Sequence, residues 1–325
     1  MNPAEYAFTA PLIAAGVTTL LLAILLRFPG LLADLPNQRS LHVCPVPRTG
    51  GVAIVLGAFG TTAALLPGYL LLVSCALMVA IVSLVDDWRR LDPLPRFGAQ
   101  ALIAAAFIGY GLDQISIAES IFLLLAIVWL ANLYNFMDGS DGLAGGMAVI
   151  GFGSCSLGAW IGGGGVLATL CLSIVAATLP FLALNFHPAR IFMGDVGAVT
   201  LGFAAAVIGT VGWREGVWSP FFPVFVFSPF IADASLTLLH RILSKERFWQ
   251  PHRDHYYQKL VRMGLGHRNT ALAEYVVMGI SGGGAIATFY MEGTAQLAAI
   301  VAWGAVLMLI AHCIDKRWVV QQRKI

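Results

Sequence analysis

The stretch NLYNFMDGSDGLAGG, from Asn132 to Gly146, follows the apolar run IFLLLAIVWLA at 121–131. Such a run reads as a membrane-buried helix, and the polar residues begin where it ends. Asn132, Asn135, Asp138 and Asp141 recur at every third residue, so any helical continuation would set them on one side. Gly139, Gly142, Gly145 and Gly146 let the backbone turn and approach a ligand closely. Oxygen donors with neither His nor Cys among them suit a hard cation, Mg²⁺ or Mn²⁺, rather than zinc.

The rest of the chain has the same character. Of its 325 residues, 58% are hydrophobic and 11% charged, where a soluble domain carries roughly a quarter charged. The expected fold is an all-α polytopic membrane protein. Eleven apolar runs approach or reach the ~20 residues of a spanning helix. They lie at about 8–27, 50–66, 70–85, 97–111, 118–135, 143–161, 166–184, 196–212, 219–242, 271–290 and 295–313. The first lacks a basic n-region and a small-residue cleavage site, so it is expected to be retained. Five cysteines form no framework; Cys75, Cys155 and Cys171 sit inside apolar runs, and free thiols are expected. No linker, repeat or low-complexity tract divides the chain, which predicts one domain over 1–325.

Connections after the even-numbered runs are short and nearly uncharged, whereas those after the odd-numbered runs are long and polar. All but Arg214 of the 19 Lys+Arg fall on the side of the odd-numbered loops and the C-terminus. By the positive-inside rule this side is expected to be cytoplasmic, with the N-terminus outside.

The acidic residues gather on that same side. SLVDDWRR (83–90) closes the third run with Asp86 and Asp87, and NFHPARIFMGDVG (185–197) closes the seventh with Asn185 and Asp195. Asp233 lies inside the ninth run, about two turns from its end. Ionisable groups at such depths are costly and usually line a site. Taken singly, Asp141 and Asp195 read equally well as helix N-caps, and Asp86–Asp87 as a solvated helix end. DGSDG also hints at a calcium loop, but the twelfth position, where an EF-hand needs an acid, is Val149. Several acidic helix ends on one side are much harder to explain as caps.

Two loops add basic and aromatic residues. SKERFWQPHRDHYYQKLVRMGLGHRN (244–269) carries His252, Arg253, Asp254, His255, Tyr256 and Tyr257. Without a third His or Cys nearby the histidines are poor zinc ligands. The loop suits either anionic lipid head groups or substrate phosphates. DLPNQRSLHVCPVPRTGG (34–51) offers Asn37, Arg39, His42 and Arg48 in a proline-punctuated segment too polar for mere connection.

Asp86–Asp87, NLYNFMDGSDGLAGG, NFHPARIFMGDVG and PHRDHYYQ, in this order, closely resemble the polyprenyl-phosphate N-acetylhexosamine-1-phosphate transferases, glycosyltransferase family 4, and in particular the O-antigen-initiating branch. The resemblance covers nearly the whole chain. It implies catalytic roles for Asp86, Asp87, Asp138, Asp141, His252 and His255. It further implies metal ligation by Asp195 with Asn135, and substrate contacts from Asn37, Arg39, Arg48, Asn132, Asn185 and Arg253. One departure is Arg90, where a DDxxD form of the motif would carry a third acid; that acid cannot be essential here.

The reaction implied is Mg²⁺-dependent (Mn²⁺ as a substitute) transfer of sugar-1-phosphate from a UDP-N-acetylhexosamine to undecaprenyl phosphate, with release of UMP. It would take place in the bacterial inner membrane, at the start of O-antigen, lipopolysaccharide or related envelope-glycan synthesis. UDP-GlcNAc, UDP-FucNAc and UDP-QuiNAc are the expected donors, with a lean to the 6-deoxy sugars because Tyr256 and Tyr257 offer an apolar face for a C6 methyl. The partners are then the lipid carrier, the nucleotide sugar and membrane lipid, with no nucleic acid and with a homodimer left open. A secondary transporter is the rival reading, but its acids belong near the bilayer midplane, and no inverted repeat is evident.

Overall fold

Each of the eleven apolar runs falls on helix in a computed structural model, which describes residues 3–28, 30, 32–34, 45–89, 91–247 and 252–322. Helix α1 (Pro3–Leu25) leads to a short antiparallel ribbon of β1 (Ala33–Asp34) and β2 (Val46–Pro47), with Ala33 opposite Pro47. A bent helix comes next, α2 (Gly50–Val55) and α3 (Thr61–Leu65) joined by a π-helical turn at Leu56–Gly60. Then come α4 (Leu70–Arg89), α5 (Pro93–Gly111), α6 (Ile117–Phe136), α7 (Leu143–Ile161), α8 (Gly165–Asn185) and α9 (Gly194–Arg214). The ninth run breaks at Phe227 into α10 (Phe221–Val226) and α11 (Ser228–Leu243). Helix α12 (Tyr256–Leu260) lies in the next loop, ahead of α13 (Gly266–Ala287) and α14 (Gly293–Gln322).

Eight helices are long and apolar enough to cross a membrane among the described residues. The other three runs are the bent helix at 50–65, the Arg96- and Gln100-bearing α5, and the interrupted pair α10–α11. The perimeter exposes large apolar side chains such as Phe8, Phe122 and Leu102. In water such a surface would be an aggregation liability; lipid is its natural solvent. The described cysteines, Cys75, Cys155, Cys171 and Cys313, are free thiols, as expected.

Helix α9 is the axis of the bundle, its residues almost all buried, with α4 and α6 packed beside it. Small residues make this possible, because without a hydrophobic drive between helices in lipid, close backbone approach does the holding. A Cβ on Gly202 would lie 2.5 Å from the Leu130 carbonyl of α6. At the start of α9, Gly51 and Gly197 touch backbone to backbone, and a Cβ on Gly51 would meet the Gly197 nitrogen at 2.2 Å. Backbone bonds fix the same junction: Gly50 N–H donates to Phe192 O, Gly51 N–H to Met193 O, and Phe192 N–H to Pro47 O. The entry to α2 is thereby locked against the entry to α9, which is what brings Arg48 to Asp195.

Candidate active site

Three helix ends and the segment before α2 meet around one cluster of charge. Asp86 and Asp87 come from the last turn of α4, Asn135 from the last turn of α6, Asp195 from the first turn of α9, and Arg48 from the segment between β2 and α2. Arg48 Nη2 lies 3.0 Å from Asp195 Oδ1 and 3.3 Å from Asp87 Oδ1. Arg96 Nη1, at the start of α5, lies 2.8 Å from Asp86 Oδ2 and 3.5 Å from Asp195 Oδ2. Asn135 Nδ2 donates to Asp195 Oδ2 at 3.3 Å, and the Val196 N–H to Asp87 Oδ2 at 3.4 Å. Gly194 takes φ +72°, which few other residues tolerate. A Cβ there would also stand 2.8 Å from Arg48 O and 3.1 Å from Asp87 Oδ2.

Asp138 stands beside this cluster in the turn after α6, and its carboxylate has no hydrogen bond or ion pair among the described residues. Burial pushes its carboxyl well above the usual carboxylate range, Arg48 pulls it back, and Asp195, Asp87 and Asp141 push it up again. Burial also depresses Arg48, but Asp87 and Asp195 outweigh that and raise it, so its guanidinium stays charged. A bound cation would hold the carboxylates ionised against that burial, and Asp86, Asp87, Asp138 and Asp195 would then exceed Arg48 and Arg96 by two charges.

That excess matches one divalent cation, and the donors are oxygens of the kind a hard cation takes. No group of three His, Cys, Asp or Glu side chains is drawn close enough to chelate a metal among the described residues. Such a shell is still compatible with Mg²⁺, which often takes one or two carboxylates and leaves other positions to water and substrate phosphates. Asp195 and Asp87 already converge on one cationic nitrogen of Arg48, so these two are the residues fitted to hold a cation, with Asn135 and Asp138 next to them.

The third-residue spacing does not put its four members on one side, because α6 ends at Phe136 and the turn through Gly142 (φ +77°) re-aims the chain beyond it. Asn132 faces α5 instead, its Nδ2 donating to Gln100 Oε1 at 2.6 Å and to Val128 O at 2.8 Å. Asp141 points to the loop before α9, 2.6 Å from His187 Nδ1 and accepting the Ala189 N–H at 3.2 Å. His267, from the start of α13, stacks on His187 with centroids 5.4 Å apart and bonds Ser140 Oγ at 2.9 Å. Asn185 ties these loops together, accepting the Gly142 N–H and donating to Ile191 O. Asn132 and Asn185 therefore serve as braces in this structure rather than as groups facing the carboxylates.

The histidine loop docks on the same turn. Tyr257 is fully buried, and its hydroxyl donates to Phe136 O at 3.0 Å, against Gly139. His255 stacks against His252, Phe136 and Tyr257, with centroids 5.0, 6.0 and 5.9 Å away. Burial first, then His255 and Arg241, lower His252 to about 4, so it is neutral at physiological pH. The Arg253 carbonyl accepts from Arg262 Nη1 at 3.1 Å. The tyrosine pair is not available to read a sugar, since the Tyr256 hydroxyl is bonded to Asp315 and both rings are buried. Asn37, Arg39 and His42 lie outside the described residues. Arg96, His187 and His267 were not singled out from sequence; for Arg96 the signal was a cation opening an apolar helix.

The family model for glycosyl transferase family 4 matches residues 69–212, which hold Asp86, Asp87, Asn135, Asp138, Asp141, Asn185 and Asp195. The chain is 32% identical to a probable undecaprenyl-phosphate N-acetylglucosaminyl 1-phosphate transferase of Bacillus subtilis, over 75% of this chain and 74% of that protein. It is 30% identical to a decaprenyl-phosphate N-acetylglucosaminephosphotransferase of Mycobacterium tuberculosis, over 84% and 81% of the two chains. It is 24% identical to an undecaprenyl-phosphate alpha-N-acetylglucosaminyl 1-phosphate transferase of Escherichia coli K12, over 88% and 84%. With Asp86, Asp87, Asn135 and Asp195 of its motifs drawn to one cluster, the chain belongs to glycosyl transferase family 4, the polyprenyl-phosphate N-acetylhexosamine-1-phosphate transferases.

Proposed function

We propose that the protein transfers N-acetylhexosamine 1-phosphate from a UDP-sugar to undecaprenyl phosphate at the cytoplasmic face of the bacterial inner membrane. The single observation that carries this reading is the Asp87–Arg48–Asp195 contact, which joins three separate polar segments at the ends of apolar helices. At such a place a nucleotide sugar from water and a phosphate on a lipid chain can meet. The basic-residue asymmetry supports the cytoplasmic assignment.

An oxygen of the lipid phosphate attacks the sugar-bearing phosphorus of the donor in line. The bond from that phosphorus to the bridging oxygen breaks, and UMP leaves with the electron pair. Both reactants are anions, so the chain must first offset their repulsion. Arg48 and Arg96 would exchange part of their carboxylate contacts for phosphate oxygens. Asp195 and Asp87, with Asn135 and Asp138 beside them, would hold Mg²⁺, which supplies charge neutralisation of the diphosphate. Asp141, braced by His187 and His267, faces away from that cluster and would take the nucleotide side. His252 and His255 would hydrogen-bond phosphate oxygens at the rim of the α6 turn.

The relatives' names, which give N-acetylglucosaminyl 1-phosphate as the group transferred, favour an N-acetylglucosamine donor, which we take to be UDP-GlcNAc. Burial of the Tyr256 and Tyr257 rings takes away the apolar face on which the lean to a 6-deoxy sugar rested. A role in starting O-antigen or a related glycan accords with this donor and acceptor. Competing UDP-GlcNAc with UDP-FucNAc and UDP-QuiNAc in one lipid-extraction assay tests the donor. Preference for a 6-deoxy sugar would reject UDP-GlcNAc, and turnover of UDP-MurNAc-pentapeptide would reject the class of small, unextended donors.

A further inference from the structure

Asp233 is an ionisable group inside an apolar helix that the reaction as derived does not use. It lies in α11 and is 7% exposed. Its Oδ1 accepts the Tyr256 N–H at 3.1 Å and is 3.0 Å from His255 Nδ1; its Oδ2 accepts the Tyr257 N–H at 3.0 Å. Thr237 Oγ1 stands 3.4 Å away, one turn on. The two backbone N–H groups and the Thr237 hydroxyl all donate to this carboxylate, and three of its four close partners belong to the histidine loop or the first residues of α12.

We propose that Asp233 is a positioning residue for the reaction, one that fixes the proton of His255 on Nδ1 and so presents Nε2 of that ring to the reacting phosphates. The inference rests on the reading that His255 contacts those phosphates. A carboxylate that accepts two backbone N–H groups has only lone pairs to offer the imidazole, so the hydrogen between Asp233 and His255 must be carried by Nδ1. The ring also packs against those of His252, Phe136 and Tyr257, with centroids 5.0, 6.0 and 5.9 Å away, which leaves it little freedom to flip. Nε2 is then a defined group: a bare acceptor in the neutral ring, and a charged N–H donor when the ring is protonated. The same logic orients catalytic imidazoles elsewhere, where a buried carboxylate sets tautomer and direction without touching substrate.

The arrangement also explains why the acid sits within the helix instead of at its end. Helix α12 is only five residues long and cannot order itself. Its first N–H groups need an acceptor, and Asp233 supplies one from a rigid neighbouring helix. Tyr256 and Lys259 anchor the other side of α12 to Asp315 of α14, at 3.1 and 2.7 Å, so the loop is clamped between two helices. The clamp and the imidazole share one carboxylate, and loss of Asp233 therefore separates into two effects.

A double-mutant cycle distinguishes them. Asp233→Asn keeps a carbonyl for the backbone N–H groups but places an amide where the imidazole needs an acceptor. It should lower kcat about 10- to 100-fold with the donor KM little changed, the size usual for removing an orienting partner. In a His255→Ala background the same change should have almost no effect on kcat, because the group through which Asp233 acts is gone. ¹⁵N spectra of labelled histidine should assign the His255 proton to Nδ1 in the parent protein and show the other tautomer in Asp233→Asn. Asp233→Glu should recover part of the rate. An equal loss in both backgrounds would overturn the proposal and leave Asp233 a helix clamp only. Full turnover by His255→Ala alone would instead reject the contact between His255 and the phosphates, on which the proposal stands.

Discussion

Replacing Arg48 with Met tests whether this guanidinium occupies the electrostatic place of a divalent cation. Asp87 and Asp195 each have an oxygen within 3.3 Å of one Arg48 nitrogen. The two carboxylates are thus within about 7 Å of one another, and at an effective dielectric near 20 they repel by about 2–3 kcal/mol once the guanidinium is removed. The Arg48 side chain is 33% exposed, so water screens part of this and the lower end of the range applies. Met preserves the aliphatic stem, which separates loss of charge from loss of packing. In chelator-treated buffer Arg48→Met should unfold at a lower temperature than the parent protein in the same detergent. Adding Mg²⁺ should recover most of the difference and raise the variant's midpoint by more than the parent's, since a ligand stabilises a folded site more the more tightly it binds there. Turnover should remain low even with Mg²⁺, because the phosphate contact is lost. Equal metal-free stability in the two proteins, or an equal Mg²⁺ response, would refute the placement of the cation between Asp87 and Asp195.

The other substitutions separate the roles within the cluster. Asp195→Asn should abolish nearly all turnover while the protein stays folded, and near-normal rates at ordinary Mg²⁺ would remove Asp195 from the metal site. Asp87→Asn should lower kcat more than it raises the donor KM, whereas a pure KM effect would move Asp87 to the nucleotide pocket. For His252 the sign is set by its depressed value. The unfolded chain binds the proton at about 6.5 and the folded one only at about 4, so stability is full at neutral pH and falls as pH drops through that window. Thermal unfolding of His252→Gln between pH 7 and 4 should show a weaker acid dependence than the parent; an identical slope would place the acid-sensitive group elsewhere. Single cysteines at 252–269, in a cysteine-free background, should resist a membrane-impermeant thiol reagent in intact cells, and labelling would reverse the topology.

Much of this was legible in the sequence because membrane helices report themselves by length and composition, and each apolar run did fall on helix. The acids at helix ends were legible for the same reason: charge in an apolar context stands out. The direction of each side chain was not. Asn132 and Asn135 are a turn apart on α6, yet one braces α5 and the other reaches Asp195, a difference set by which helix packs where. The spacing of Asp138 and Asp141 carried no information once the chain left the helix, because a turn with positive φ at Gly142 obeys no helical period. His267 was hidden because its partners lie far along the chain, and Arg96 because the turn between α4 and α5 aims it back at Asp86 and the packing of α9 brings Asp195 to it. Asp233 was visible as a buried acid, but its partners, 22 to 24 residues on, emerge only when α12 folds back onto α11.

The proposed reaction passes a sugar phosphate, and not a sugar, to the lipid. Purified protein in vesicles containing undecaprenyl phosphate and Mg²⁺ should be given UDP-GlcNAc labelled at its sugar-bearing phosphorus. The label should enter the lipid phase one for one with release of UMP, and Asp195→Asn should yield neither. Label retained in water as UDP while sugar reaches the lipid, or no lipid product at all from folded, membrane-inserted protein supplied with each of the three donors, would contradict that reaction.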